Sequence, residues 1–366
     1  KAGKYYRARC PFHNEKTPSF VVSPDRGTYH CFGCSRGGDI FTFVSEMDGT
    51  PFFETLKMLA ERANVKITHD AQQEQKYTLT QKLIQLTEDA TKFFEFILTK
   101  RVDVSQYLID RGIKEETIKK FRIGYAPQMQ SLLVDYLKNK KKYTNAEIEQ
   151  AGLQVQTIHG PRDRFRSRIM FPIAAPSGKV VAFSGRIYQK AGEANAPLRD
   201  IAKYINSPET PLYHKSEILF GYDKAKQEFL KTGFAIIVEG QVDLIMAHQA
   251  GSGNTVAVSG TALTEQHLEL LKRFTDTVLF AFDSDTAGQN ATRKAYLLAT
   301  SLGMNVKIVS IPPGKDPADI IKEDIKDWQN ALKNAKHIIE YETEVILEKA
   351  KDKEMSKHDI RREISN

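Results

Sequence analysis

The chain has 366 residues, enough for two or three domains that each bury a core of their own. Its formal charge of +7 is uneven: residues 1–69 contribute +3, residues 70–231 contribute +8 and residues 232–366 contribute −4, a split that suits a polyanion held against an acidic centre as well as a merely basic protein. No run of 18 apolar residues could span a membrane, no secretory signal follows Lys1, and three cysteines are too few for a disulfide framework.

The cysteines have another use. Cys10-Pro-Phe-His13 and Cys31-Phe-Gly-Cys34 are two knuckles separated by 17 residues, and together they form a Cys₃His set for tetrahedral Zn²⁺. His30 competes for the histidine place but lacks the two-residue spacing to a cysteine that His13 has. Zinc also answers a stability question, because a domain of about seventy residues has a marginal core. Around the knuckles lie Lys4, Tyr5, Tyr6, Arg7, Arg9, Lys16, Phe20, Arg26 and Tyr29. Cations interleaved with aromatics suit single-stranded nucleic acid, and the same rings suit a small core.

A helix is expected from Phe52 to Ala63, then a polar linker over 70–78, then a long helix carrying Leu83, Leu86, Ala90, Phe93, Phe94 and Ile97 at helical spacing. Further on, Arg162, Arg164, Arg166 and Arg168 would share one face of an extended chain, since side chains alternate with period two. The turn Pro176-Ser177-Gly178 joins that stretch to a second strand from Lys179 to Tyr188. The window 162–186 holds six basic residues against Asp163 alone, a pattern for a phosphate track or for a charged edge strand. Lys203 to Thr210, followed by His214 and Lys215, reads as a polar loop rich in donors.

From Ala235 the pattern changes to short apolar runs without polar alternation, each ending in acids. Such runs fit strands buried on both faces of a parallel sheet. Ala-Ile-Ile-Val runs into Glu239 and Asp243, and Thr-Val-Leu-Phe-Ala-Phe into Asp283 and Asp285. Helices expected at Leu244–Ala250, Thr264–Phe274 and Thr286–Leu302 alternate with strands at Thr255–Val258 and Asn305–Ile311, a doubly wound α/β order. Asp316 and Asp319 follow the last strand, and a charged helical tail begins near 325. Ligands sit beyond the carboxyl ends of such strands. Clustered carboxylates there suit paired divalent cations that serve phosphoryl transfer.

In combination these segments resemble the bacterial replicative DNA primase family, the DnaG type. C-P-F-H-N-E-K-T-P-S-F with H-C-F-G-C is similar to its zinc-binding domain. D-R-F-R-S-R-I-M-F-P-I and K-Y-I-N-S-P-E-T are similar to the basic half of its RNA polymerase domain. E-G-Q-V-D, G-T-A-L-T, F-D-S-D-T-A-G and G-K-D-P are similar to its TOPRIM core. The resemblance implies a multidomain α+β and α/β fold. Its parts are a zinc-ribbon-like domain (1–69), a linker (70–78), a mixed α+β basic subdomain (79–231), a TOPRIM core (232–312) and a helical subdomain (313–366).

It also implies a cytoplasmic enzyme that starts short RNA primers de novo on single-stranded DNA from NTPs, with one structural Zn²⁺ and two or more Mg²⁺ or Mn²⁺ ions. Glu239, Asp283 and Asp285 would be catalytic and would hold metal with Asp316 and Asp319, supported by Asp243. Arg164, Arg166, Arg168, Arg186, Lys203, Asn206 and Lys215 would contact template or nucleotide. The family's further partners are the replicative helicase, bound through a C-terminal domain expected to be missing here, and single-stranded-DNA-binding protein. Departures from the family pattern are Gln241 and Val242 in E-G-Q-V-D, Ser284 where D-G-D is common, and Ala318, which displaces the second acid of the last loop to Asp319. Two other readings remain open: a TOPRIM nuclease or topoisomerase, and a catalytically silent single-strand binder.

Overall fold

Alternation sets the first sheet. In the strand Thr28–Cys31, Tyr29 and Cys31 point inward and Thr28 and His30 outward. The computed structural model describes residues 3–352 apart from 14, 49, 51, 66–70, 159, 189–201 and 261. The chain divides into two units, Lys1–Lys231 and Thr232–Asn366.

The first unit opens with an antiparallel sheet of β1 (Tyr6–Ala8), β2 (Phe20–Ser23), β3 (Thr28–Cys31) and β4 (Gly37–Asp39) in sequential order. Helices α1 (Ile40–Asp48) and α2 (Phe52–Arg62) follow. Phe12, Phe20, Tyr29 and Phe43 pack with ring centroids 5.1 to 6.1 Å apart. With Cys10 and Cys31 they form a core separate from the larger one that follows. Of the rim aromatics, Phe20 and Tyr29 are therefore core, while Tyr5 and Tyr6 are about half exposed.

Helix α3 (Ala71–Thr99) begins inside the expected linker, so residues 71–78 form its opening turns. Gln, Glu and Lys there are good helix formers. Leu83, Leu86, Ala90 and Phe94 face the main core of this unit. Then come α4 (Val102–Asp110), α5 (Glu115–Lys120), β5 (Gly124–Ala126), α6 (Leu132–Asn139) and α7 (Asn145–Gln150). The last segment holds β6 (Gln154–Thr157), β7 (Gly160–Asp163), β8 (Arg168–Ala174), β9 (Val180–Ile187), β10 (Tyr204–Asn206) and α8 (Tyr222–Thr232). The main sheet runs β10-β9-β8-β5 and is antiparallel throughout. Because β8 lies inside its sheet, Arg168 at its start is not on an edge strand, whereas Arg162 lies in the two-stranded β6–β7 ribbon, where both strands are edges.

The expected single face of four arginines is not formed. Arg162 lies in β7, which pairs with β6, and Arg168 opens β8 in a different sheet. To pass from one pairing to the other the chain leaves the extended conformation over 164–167, with Ser167 at φ +51°.

In the second unit, β11 (Ala235–Val238), β12 (Thr255–Ala257), β13 (Thr277–Phe280) and β14 (Asn305–Ile308) form a parallel sheet ordered β12-β11-β13-β14. Between and beyond them run α9 (Gln241–Gln249), α10 (Glu265–Lys272), α11 (Thr286–Ser301), α12 (Pro317–Glu323), α13 (Ile325–Lys333) and α14 (Ile338–Asp352). Every residue of β11 is buried, as a strand covered on both faces must be. This order makes β11 and β13 neighbours, so residues just past their ends lie side by side.

Candidate metal centres

The zinc-type centre draws on two turns. Cys10 and His13 precede β2, Cys31 ends β3, and Cys34 lies in the turn that leads to β4. Cys10 Sγ is 3.9 Å from Cys34 Sγ, and Cys31 Sγ is 3.8 Å from His13 Nδ1. One ligand atom from each of the four residues falls within 4.8 Å of all the others. A tetrahedral zinc with bonds of about 2.0–2.3 Å sets its ligands roughly 3.5–3.8 Å apart, so the set fits with little adjustment. Burial pushes the Cys10 thiol up to about 12 and also raises Cys34. At Cys31 burial works the same way, but hydrogen bonds from Ser19 and from the Cys34 and Gly33 amides outweigh it and bring the thiol to about 7. As metal ligands all three sulfurs would be thiolates, and that much negative charge packed this closely calls for a cation. His30 is excluded by register, since it points out of the sheet and packs edge-on against Phe32, 4.9 Å away.

The acidic centre sits where the second unit's strands end. Glu239 follows β11, and Asp283 and Asp285 follow β13. The Asp283 amide donates to Glu239 Oε1 at 3.2 Å. Asp285 caps α11 by accepting from the Gly288 amide at 2.8 Å, and Asp316 caps α12 by accepting from the Asp319 amide at 2.8 Å. Gly288 is required by close approach: a Cβ there would lie 2.1 Å from the Asp283 carbonyl oxygen and 3.0 Å from Glu239 Oε1. Buried Asp243 accepts from the Ala318 amide at 3.2 Å, tying the start of α9 to the start of α12. Burial raises the Glu239 carboxyl, assisted by Asp285. It raises Asp243 strongly, assisted by Asp316 and Asp283. The acids therefore feel one another.

Among the described residues, only the cysteine–histidine set brings its ligand atoms within 4.8 Å of one another. The wider spacing of Glu239, Asp283, Asp285, Asp316 and Asp319 suits Mg²⁺, which keeps several waters and shares its coordination with substrate phosphates. Hard carboxylate oxygens at strand ends are the right donors for it. One feature here had no signature in the sequence. Ser284 Oγ donates to the Lys315 carbonyl at 3.3 Å and accepts from the Gly314 amide at 3.0 Å, joining two acidic loops. Asp319, the displaced acid, lies in the first turn of α12.

The basic residues fall into different classes. Arg168 is buried and donates to the carbonyls of Gly185, Ala202 and Lys203, so it holds β9 and the approach to β10 rather than facing a ligand. Arg164 is half-buried and donates to the Asn206 carbonyl at 3.0 Å, while its Nε is buried with no hydrogen-bond partner among the described residues. Arg166 and Lys203 are exposed, and Asn206 and Lys215 are half-buried. Arg186 donates to Tyr107 Oη at 2.5 Å and lies over the Tyr107 and Tyr204 rings.

That tyrosine cluster is braced from below. Arg101 makes a two-pronged contact with Asp103 at 2.8 and 2.7 Å, and Tyr188 Oη donates to Asp103 at 3.3 Å. The Arg101 guanidinium holds the Asp103 carboxyl down to about 2. A depressed carboxyl stabilises the fold above its unfolded value, 3.8, and loses that contribution as pH falls through its folded value. Asp103→Asn should therefore cost about 1 kcal/mol near pH 7, discounted for partial exposure. The melting-temperature gap from the parent should shrink below pH 4 and close near pH 2.

Comparison with known proteins follows the same three segments. Residues 1–75 match the family described as CHC2 zinc finger, residues 93–226 that described as DNA primase catalytic core, N-terminal domain, and residues 236–321 that described as Toprim-like. A DNA primase of Clostridium acetobutylicum is 38% identical over 93% of this chain and 56% of its own length. The chain spans about half the length of the curated relatives it matches. The zinc-binding and RNA polymerase domains of the Aquifex aeolicus primase superpose with a TM-score of 0.65 at 34% identity, covering 99% of this chain and 85% of that one. A DnaG primase catalytic domain bound to single-stranded DNA gives 0.62 at 31% identity, covering 71% and 80%. No helix among the described residues is long and apolar enough to cross a membrane. The chain belongs to the DnaG-type bacterial DNA primase family.

Proposed function

We propose that this chain synthesises short RNA primers on single-stranded DNA from NTPs. The observation that carries the reading is the pair of adjacent parallel strands, β11 and β13, that end in Glu239 and Asp283 with Gly288 packed against both. When bound, Mg²⁺ or Mn²⁺ supplies the positive charge that meets a triphosphate and the charge developing at its α-phosphorus. Glu239, Asp283 and Asp285 would hold it, Asp316 and Asp319 would extend the set, and Asp243 ties the start of α9, beside Glu239, to the start of α12, where Asp316 and Asp319 lie. The 3′-hydroxyl oxygen forms the new bond to the α-phosphorus as the bond to pyrophosphate breaks. No Ser, Cys or Tyr nucleophile is required.

Support for a polymerase over a TOPRIM nuclease comes from residues 93–226, which match a primase catalytic-core domain. A mixed incubation with single-stranded template, supercoiled plasmid, NTPs and Mg²⁺ tests this: alkali-labile oligomers are expected, and plasmid nicking without them would overturn the reading. The DNA-bound neighbour supports a template role for the basic residues. Exposed Arg166 and Lys203, half-buried Arg164 with its unmatched Nε, Arg186, Asn206 and Lys215 remain the candidates, while Arg168 acts inside the fold. Arg166→Ala should weaken single-strand binding and flatten the log Kd against log salt slope by about 0.7, one phosphate contact on a single strand. An unchanged slope in an anisotropy titration would remove Arg166 from the template path. Helicase binding belongs to the same proposal.

A further inference from the structure

The zinc-type centre has a supporting group that its four ligands do not reveal. Glu15 lies two residues beyond His13, and its side chain is 10% exposed. One carboxylate oxygen, Oε1, accepts from the Cys10 amide at 2.7 Å and the Ser19 amide at 3.0 Å. The other, Oε2, lies 3.4 Å from His13 Nε2. A single side chain thus touches the first cysteine's backbone, the histidine ring and the start of β2. The opposite ring nitrogen, Nδ1, is the one that faces Cys31 Sγ at 3.8 Å. Ser19, which Glu15 holds, places its hydroxyl 3.1 Å from the same sulfur.

An imidazole that donates its Nε2 proton to a carboxylate must present the Nδ1 lone pair to the metal. Such an outer carboxylate fixes the tautomer, orients the ring and raises its basicity. We propose that Glu15 is the positioning residue of the zinc centre: it commits His13 to bind through Nδ1 and, through Ser19, aims a hydroxyl donor at the Cys31 thiolate. Arg36 lies over Phe12 with its guanidinium carbon 5.2 Å from the ring centre.

Two measurements on the full chain decide the matter. Chelator competition should show zinc held about ten- to a hundredfold more weakly by Glu15→Ala, the range typical for loss of an outer-shell partner. Glu15→Gln keeps an acceptor for the two amides and should recover part of that loss. In the parent chain, loaded with cadmium-113 and carrying ¹⁵N-labelled histidine, the metal coupling should appear on Nδ1 of His13, with Nε2 protonated. Coupling to Nε2 in the parent would overturn the assignment even if Glu15→Ala fails to fold. Zinc affinity within twofold of the parent in a folded Glu15→Ala would overturn it as well.

Discussion

Asp285→Asn should abolish primer synthesis while leaving the chain folded. Asp285 does two separable things. Its Oδ1 caps α11 by accepting from the Gly288 amide, and its charge joins the acidic set at the strand ends. Asn is as good an N-cap as Asp, so the substitution keeps the helix start and removes the charge. The expected loss is about two to three orders of magnitude or more, the size found when one group that meets developing charge is removed. The melting temperature should stay within a few degrees of the parent, because the capping bond survives. Glu239→Gln should behave similarly, and Asp319→Asn more mildly, since Asp319 is displaced by one place and lies in the first turn of α12. Full synthesis by a folded Asp285→Asn at low millimolar Mg²⁺ would mean that these acids are strand-end decoration.

The second large effect is on folding. Cys34→Ser should remove zinc and, with it, the fold of the first domain. Structural zinc supplies roughly 10–16 kcal/mol of apparent free energy in comparable small domains. The core it would leave is small, four aromatic rings with Cys10, Cys31, Val22 and Met47. The ion pair to the rest of the first unit does not replace it. Lys179 reaches Glu54 at 2.5 Å, but the lysine is 42% exposed, and surface pairs contribute about 0–1 kcal/mol. Hydrogen exchange read by mass spectrometry should show β2 and β3 unprotected and β8 and β9 unchanged, because their cores are separate. Retained protection of β2 and β3 in the zinc-free variant would refute a metal-dependent fold.

Both predictions rest on residues that the sequence already marked, and the reason is physical. Two-residue spacing between ligands belongs to a tight turn, so Cys10, His13, Cys31 and Cys34 were legible without coordinates. The choice of His13 over His30 then follows from the alternation of β3. Glu239 and Asp283 were legible because unbroken apolar runs must be buried strands, and polar residues can begin only where those strands end. Period-two reasoning failed at the arginines because it assumes one continuous strand, whereas the chain changes sheets at Ser167. Nothing local could show that Arg168 would spend its donors on the carbonyls of Gly185, Ala202 and Lys203. The same holds for Glu15 and Ser284, whose partners are set by folding rather than by spacing.

The most direct test of the central claim uses the position of a label. The zinc-loaded chain is incubated with mixed-sequence single-stranded DNA, Mg²⁺ and NTPs labelled on the γ-phosphate. Primers started de novo keep the triphosphate of their first nucleotide, so the label should appear in short alkali-labile oligomers that require template. Asp285→Asn should yield about a hundredth as much or less. Label found only in released pyrophosphate, or oligomers made only by extending an added primer, would contradict the account.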